Sequence, residues 1–509
     1  LNCYYYYIII MSTSSSSSSE LTTRFLKVEN ENNNSTTTKR LIGIDLFRGL
    51  IMIVMAWDHS KDFLANKKLP KHQGGSAWSG ELQDFDHSFL LFFARFISHF
   101  CAPGFFYTMG IGMVLFTKSR LLKKKWSKFK IVKHFLIRGF VLLIVGRLVD
   151  IAIIFQVIPI IIDHKPFPIE KIFGGSIWTI PFIGIWEVMT GLSYVMIVVG
   201  LFIPTIVENM FVKKLNQNKI NIFFQHTMIL FIALLSFILS NYTIVHAQNG
   251  DPCGPSCHEM KNSSNVQPPW PREEGIATGF WEIFLRYTLI PGRFSKGVII
   301  YPLIPWISMT LFGIVHGYGF STNPTKSYLI ARYVGIISLI FFICIRLYGH
   351  DGYFGNLRGL PRDGVQGNWL IAFLNVCKYP PSIAYTLLTL GIDLLILGNI
   401  ERFVNFFTNC CSNDTNNIIN NNNEKQITTS LILKRILLAY GKVPLFFYLI
   451  HFQVLGVLSM ILQFLGNGLD LDLVIIPYIF VLMFMFFICE KYSKYKMTLS
   501  SESWIRNYL

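Results

Sequence analysis

The sequence predicts an all-α fold: a polytopic helical membrane protein with about ten transmembrane helices and both termini cytosolic. Three observations carry this. The 509 residues are 52% hydrophobic and only 15% charged, where a soluble chain would hold about 25% charged residues. The apolar residues gather in runs of about 20, the length that crosses a hydrocarbon core. The basic residues behind the net charge of +16 sit mostly in short segments between those runs, as orientation signals and contacts for anionic lipid do. Membrane lipids, and not nucleic acid, are therefore the partners that the excess charge implies.

Taken in order, residues 1–40 read as a low-complexity tail. The chain does not open on Met, and Tyr4 to Tyr7 followed by Ile8 to Ile10 look like translated upstream sequence, which makes Met11 the expected start. Ser14 to Ser19 and the Asn/Thr tract around Asn32 to Thr38 have nothing to bury and are expected to be disordered. No charged-then-apolar leader with a small-residue cleavage site precedes the first span, so that span is expected to act as the insertion signal. The membrane domain runs over 41–490, with spans near 42–61, 89–117, 134–156, 182–205, 222–243, 298–318, 328–347, 380–399, 436–464 and 471–489. An Asn-rich cytosolic loop at about 405–430 interrupts this domain, and 491–509 form a cytosolic tail.

The loops set the orientation. Lys118, Arg120, Lys123, Lys124, Lys125, Lys128, Lys130 and Lys133 lie between the second and third spans with no acidic residue, which makes that loop cytosolic. Alternation then places Lys213, Lys214, Lys219, Lys326, Arg332, Lys434 and Arg435 on the same side. On the opposite side, Cys253 and Cys257 are spaced for a small lumenal disulfide or are two free thiols. Asn262 and Asn241 open glycosylation acceptor triplets. Cys410 and Cys411 fall on the cytosolic side and are expected to be reduced or palmitoylated.

The polar residues inside the spans need a separate account, because ionisable groups are costly there and mark function by default. Arg48 and His59 lie on the first span, in Asp45-Leu46-Phe47-Arg48-Gly49-Leu50 and Trp57-Asp58-His59. Eleven helical steps bring the two side chains back to one face, about 16 Å apart along the axis. Asp45 is placed to pair with Arg48, either as a structural ion pair or to support Arg48 as a ligand for a phosphate or thioester carbonyl. Asp62, one turn beyond His59, is placed to orient the imidazole, whereas Asp58 points about 100° away. On the second span Arg95 and His99 share a face four residues apart, and Pro103 deprives the His99 carbonyl of its helical partner. A broken helix bearing Arg and His favours a polar cavity over a lipid face. His451, deep in the ninth span, reads as a helix–helix hydrogen-bond partner. The sequence holds no Gly-Lys-Ser/Thr nucleotide loop, no His-Glu-x-x-His or paired CxxC metal motif, and no Gly-x-Ser-x-Gly elbow.

Five segments in order resemble the heparan-alpha-glucosaminide N-acetyltransferase catalytic-domain group. They are Asp45-Leu46-Phe47-Arg48-Gly49-Leu50 with a His near the helix end, His99-Phe100-Cys101-Ala102-Pro103, and Tyr301-Pro302-Leu303-Ile304-Pro305-Trp306. Leu374-Asn375-Val376-Cys377-Lys378-Tyr379-Pro380-Pro381-Ser382 and Gly441-Lys442-Val443-Pro444-Leu445-Phe446-Phe447-Tyr448 complete the set. The Arg-x10-His spacing is also similar to that of acyltransferase-3 enzymes. The resemblance implies a transmembrane N- or O-acetyltransferase-like enzyme that takes an acyl group from cytosolic acetyl-CoA or another acyl-CoA, without a metal. The acceptor would be a carbohydrate or other lumenal or extracellular group. Carried over, Arg48 would help hold the donor and His59 would be the general base; Asp45 beside Arg48, and Arg95 on the second span, are further candidates for holding the CoA phosphates or the developing oxyanion. The animal lysosomal member of the group carries Asn at the position of His59 and places its active His in the following lumenal loop. Here that loop holds His72, in Lys71-His72-Gln73-Gly74-Gly75, which makes His72 the rival base and His99 a second rival. His59 is preferred because the sequence offers His72 no partner.

The expectation is direct acyl transfer in an endomembrane (lysosomal, endosomal or ER) or plasma-membrane enzyme, possible as a homodimer, with specificity for heparan left open. A transporter or flippase is the rival class, since broken helices and midplane polar groups suit it as well. A non-catalytic lipid- or sterol-binding protein, with its histidines as packing groups, is a third reading.

Overall fold

In the computed structural model the described residues are 41–65, 89–162, 185–211, 219–247, 279–289, 291–294, 297–348, 369–374, 376, 378, 381–404, 422–465, 468–500 and 503–508. His72, Cys253, Cys257, Asn262, Asn375, Cys377, Cys410 and Cys411 lie outside them. The helices are α1 (Ile42–Leu64), α2 (Phe89–Phe96), α3 (Cys101–Lys118), α4 (Lys128–Ile162), α5 (Val188–Phe211), α6 (Lys219–Ala247), α7 (Phe280–Thr288) and α8 (Leu303–Thr322). They continue as α9 (Pro324–Tyr348), α10 (Trp369–Leu374), α11 (Ile383–Gly398), α12 (Asn422–Lys442), α13 (Pro444–Phe464), α14 (Ile475–Thr498) and α15 (Trp504–Tyr508).

Six helical stretches among the described residues are long and apolar enough to cross a membrane, so the architecture is that of a multi-pass helical membrane protein. They are Phe92–Lys123, Val188–Phe211, Leu303–Thr322, Pro324–Leu347, Pro444–Phe464 and Ile475–Thr498, with shorter apolar helices at Gln225–Leu239 and Ile383–Gly398. α1 stands apart because every 18-residue stretch of it holds at least three charged residues. The outer helices carry the lipid-facing surface. Ile336, Ile340 and Phe341 of α9 and Phe480, Met483 and Phe487 of α14 are exposed, an apolar perimeter that suits hydrocarbon and not water. The buried core lies within: α3 packs along α8, α9 along α11, and α4 against both α5 and α13.

Glycine sets a close crossing. A Cβ on Gly49 of α1 would collide with the backbone carbonyl of Leu437 on α12, and one on Gly441 would collide with that of Asp45. α1 and α12 therefore touch backbone to backbone, the small-residue packing that membrane helices use in place of a hydrophobic driving force. Further bonds tie α1 to its surroundings: Trp57 Nε1 donates to Ala94 O (3.0 Å), Tyr478 Oη to Ile53 O (3.2 Å) and Ser459 Oγ to Phe63 O (2.8 Å).

Three features depart from the expected all-α pattern of ten spans. First, three short strands, β1 (Ile185–Trp186), β2 (Gly292–Phe294) and β3 (Gly297–Ile299), form a sheet in the order β1-β3-β2. β1 pairs with β3 in parallel, Ile185 opposite Val298 and Trp186 opposite Ile299. The fourth and sixth spans thus begin in strand, and α8 starts only at Leu303, after Pro302 in an extended conformation (φ −64°, ψ 151°). Second, the single ninth span near 436–464 is two helices. Pro444 disfavours helical geometry in the residue before it, and Val443 (φ −133°, ψ 52°) separates α12 from α13. α12 also begins at Asn422, inside the segment expected to be an Asn-rich loop. Third, the C-terminal tail is helical through Thr498 and again over α15, where Tyr508 stacks on His134 of α4 (centroids 5.0 Å apart).

Candidate functional site

The expected break in the second span is a 3₁₀ turn at Ile97–Phe100 between α2 and α3. Pro103 has no N–H to offer the His99 carbonyl. The hydroxyl of Tyr385 on α11 takes its place, donating to His99 O at 2.8 Å. Tyr385 is itself fixed because α11 begins at a cap: the Ser382 hydroxyl accepts from Tyr385 N (3.0 Å). His99 is buried, with no partner for its Nδ1 among the described residues. Arg95 lies buried on the preceding turn and accepts the Ser98 hydroxyl at its own carbonyl (2.7 Å).

His59 sits on the last turns of α1 against α13. Its Nδ1 lies 2.8 Å from Nε2 of His451, and the two rings stack with centroids 5.1 Å apart. Phe452 packs on the His59 ring at 4.1 Å, and Tyr448 meets it edge-on at 6.2 Å. The far nitrogen of His451, Nδ1, lies 2.9 Å from the carbonyl oxygen of Phe447. A carbonyl only accepts, so His451 Nδ1 carries a proton. In a pair of neutral rings His451 Nε2 is then the acceptor and His59 Nδ1 the donor. This leaves His59 Nε2 with a lone pair and no hydrogen-bond partner among the described residues. The histidine expected only to join two helices is thus the group that fixes the His59 tautomer.

Asp62 does not take that orienting position. It lies 3.7 Å from Lys61 Nζ with its side chain 55% exposed, while the nitrogen it was expected to hold is bonded to His451. Lys61, buried, also bonds Asp58 at 3.1 Å. Asp58, Lys61 and Lys378 are charges that act on both His59 and His99, so the end of α1, the α2–α3 turn and Lys378 make one polar neighbourhood. Lys378 lies in one of the segments on which the family resemblance rests, but its part in this cluster had no local signal.

Arg48 faces a cavity of about 150 Å³ between α1, α3, α4, α5 and α13. Its Nη2 donates to Thr108 O (3.0 Å) and its Nη1 lies 3.8 Å from Asp45 Oδ1, the pairing expected from their spacing. Arg138 of α4, which the sequence did not single out, lines the same cavity, and Tyr448 lies on its wall. Tyr448 thus connects the Arg48 cavity to the His59 ring. Arg95 is not among the cavity's lining residues. Among the described residues no group of three His, Cys, Asp or Glu side chains is arranged to hold a metal ion.

In comparisons with known proteins, the chain matches no family model and no curated protein.

Proposed function

We propose that the chain is a membrane-bound acyltransferase that moves an acyl group from cytosolic acyl-CoA to a hydroxyl or amine on the lumenal or extracellular side. The observation that carries this reading is the His59–His451 pair, which leaves His59 Nε2 as a half-buried base with its tautomer set. The resemblance to the heparan-alpha-glucosaminide N-acetyltransferase group supports the same reaction class. In this reading both termini are cytosolic, Arg48 lies toward the donor side and His59 toward the acceptor side, about 16 Å further along one helix.

The step balances simply. The acceptor O–H or N–H gives its proton to His59 Nε2 as the oxygen or nitrogen attacks the thioester carbonyl. The C–S bond breaks, and the CoA sulfur leaves with the proton returned by the imidazolium. His451 holds Nδ1–H of His59 throughout and stabilises the charge that forms there, as second-shell partners of catalytic imidazoles do. No partner among the described residues holds His99 Nδ1, so nothing sets its tautomer there as His451 does for His59, which favours His59 over His99 as the base.

Transport remains the second reading because of Asp393. This carboxylate on α11 is buried at 2% exposure, and its Oδ2 has no partner among the described residues, a common mark of proton or ion pathways. Purified protein supplied with labelled acetyl-CoA and a panel of amino sugars and glycans separates the two. Label transfer that is lost in His59→Ala and kept in His72→Ala is the expected result. A His59→Ala protein that still transfers label overturns the assignment of the base. Solute flux without CoA-dependent labelling supports transport.

A further inference from the structure

The cavity beside Arg48 has a charge problem that its own residues do not solve. Arg48 has Asp45 as a counter-ion and Thr108 O as an acceptor. Arg138, on the opposite wall helix, has no hydrogen-bond or ion-pair partner among the described residues, and the charged side chain that acts on it is the like charge of Arg48. Two guanidinium groups thus share one cavity, and that of Arg138 has no carboxylate beside it among the described residues. Such an arrangement inside a membrane bundle is unfavourable unless something entering the cavity brings negative charge. Guanidinium groups match phosphoryl oxygens in geometry as well as charge.

The rest of the wall is of the opposite character. Met52, Met109, Met189 and Met196 line it, unbranched and polarizable side chains that adapt to a flexible apolar chain. The cavity's wall also includes Tyr448, whose ring edge meets His59.

We infer that Arg48 and Arg138 together bind the phosphoryl head of an amphiphilic ligand whose flexible chain runs along the methionine-lined wall toward Tyr448 and His59. This deepens the donor reading above and rests on it, because an acyl-CoA carries a pyrophosphate and a flexible arm ending in the thioester. An anionic phospholipid offers the same head chemistry, and the test separates the two sources.

The test uses the full chain in nanodiscs of phosphatidylcholine, with thermal unfolding as the readout. Inorganic pyrophosphate and CoA are the probes, pantetheine is the phosphate-free control, and parallel nanodiscs contain phosphatidylglycerol. Pyrophosphate and CoA are expected to stabilise the wild type. Arg138→Gln is expected to weaken both by about tenfold or more, and Arg138→Lys by less. Pantetheine should respond equally in all three proteins. Leu142→Asp, one turn along α4 on the same cavity wall, supplies a carboxylate in cis and should abolish the same responses even if Arg138→Gln does not fold. Stabilisation by phosphatidylglycerol alone, lost in Arg138→Gln, keeps the phosphoryl site and removes the acyl-CoA donor. Responses to pyrophosphate, CoA and phosphatidylglycerol that Arg138→Gln and Leu142→Asp leave unchanged overturn the site.

Discussion

His59 and His316 are both half-buried histidines that join helices, yet their ring nitrogens end differently. His316 on α8 receives the Tyr107 hydroxyl at Nδ1 and donates from Nε2 to Ser327 O at 2.9 Å, so the protein uses both of its nitrogens to hold α3, α8 and α9 together. His59 spends Nδ1 on His451 and has no described partner at Nε2. A ring with two protein partners is a strut. A ring with one partner and one lone pair is oriented and chemically available. The difference lies in the partners and not in burial, so a count of intramembrane histidines alone does not locate a base.

The largest expected effect is at His59. His59→Ala should lower acyl transfer by about 10²–10⁴-fold, while size-exclusion behaviour and CoA binding stay as in the wild type. His316→Ala should do the reverse, lowering the melting temperature in detergent while turnover per folded molecule stays near the wild-type value. Next comes His451, a positioning residue. His451→Ala should cost about 10–100-fold in turnover with the KM for acyl-CoA unchanged. His451→Gln should recover part of the loss, because its amide oxygen can accept from His59 Nδ1–H. An unchanged turnover in His451→Ala would remove the tautomer argument.

Gly49→Ala addresses the placement of α1 and not its chemistry. Its methyl would overlap the Leu437 carbonyl, so a stability loss of about 1–3 kcal/mol is expected by denaturation in mixed micelles. Tyr107→Phe is the smallest change. It removes one hydroxyl from the His316 strut and should cost about 1 kcal/mol, with acyl transfer untouched.

Much of α1 was legible from local sequence. The Arg48–Asp45 pair follows from helical spacing, and the weakness at His99 follows from Pro103 four residues on. The partners that complete these sites were not legible. Tyr385 is 286 residues from the carbonyl it satisfies, and His451 is 392 residues from His59. Side-chain periodicity carries no information across such separations. Helix geometry makes Asp62 a neighbour of His59, but Lys61 is nearer to both acids of that turn and holds them. Arg138 was hidden for a different reason: it follows the basic loop of Lys128 to Lys133 and reads as one more orientation signal until the helices close around the cavity. Strands of two or three residues leave no alternation to detect, whereas the α12–α13 break does have a local mark in Pro444.

The separation between His59 and His451 also has a meaning in time. Ribosomes add about 5–20 residues per second, so the 392 residues between them take about 20–80 s to make. For that interval α1, with its charged residues at both ends, is in or at the membrane without α12 against Gly49 and without the second imidazole. The first of the described helices to be synthesised is among the last to be completed, and any factor that shelters nascent membrane segments would act on it for longest of these.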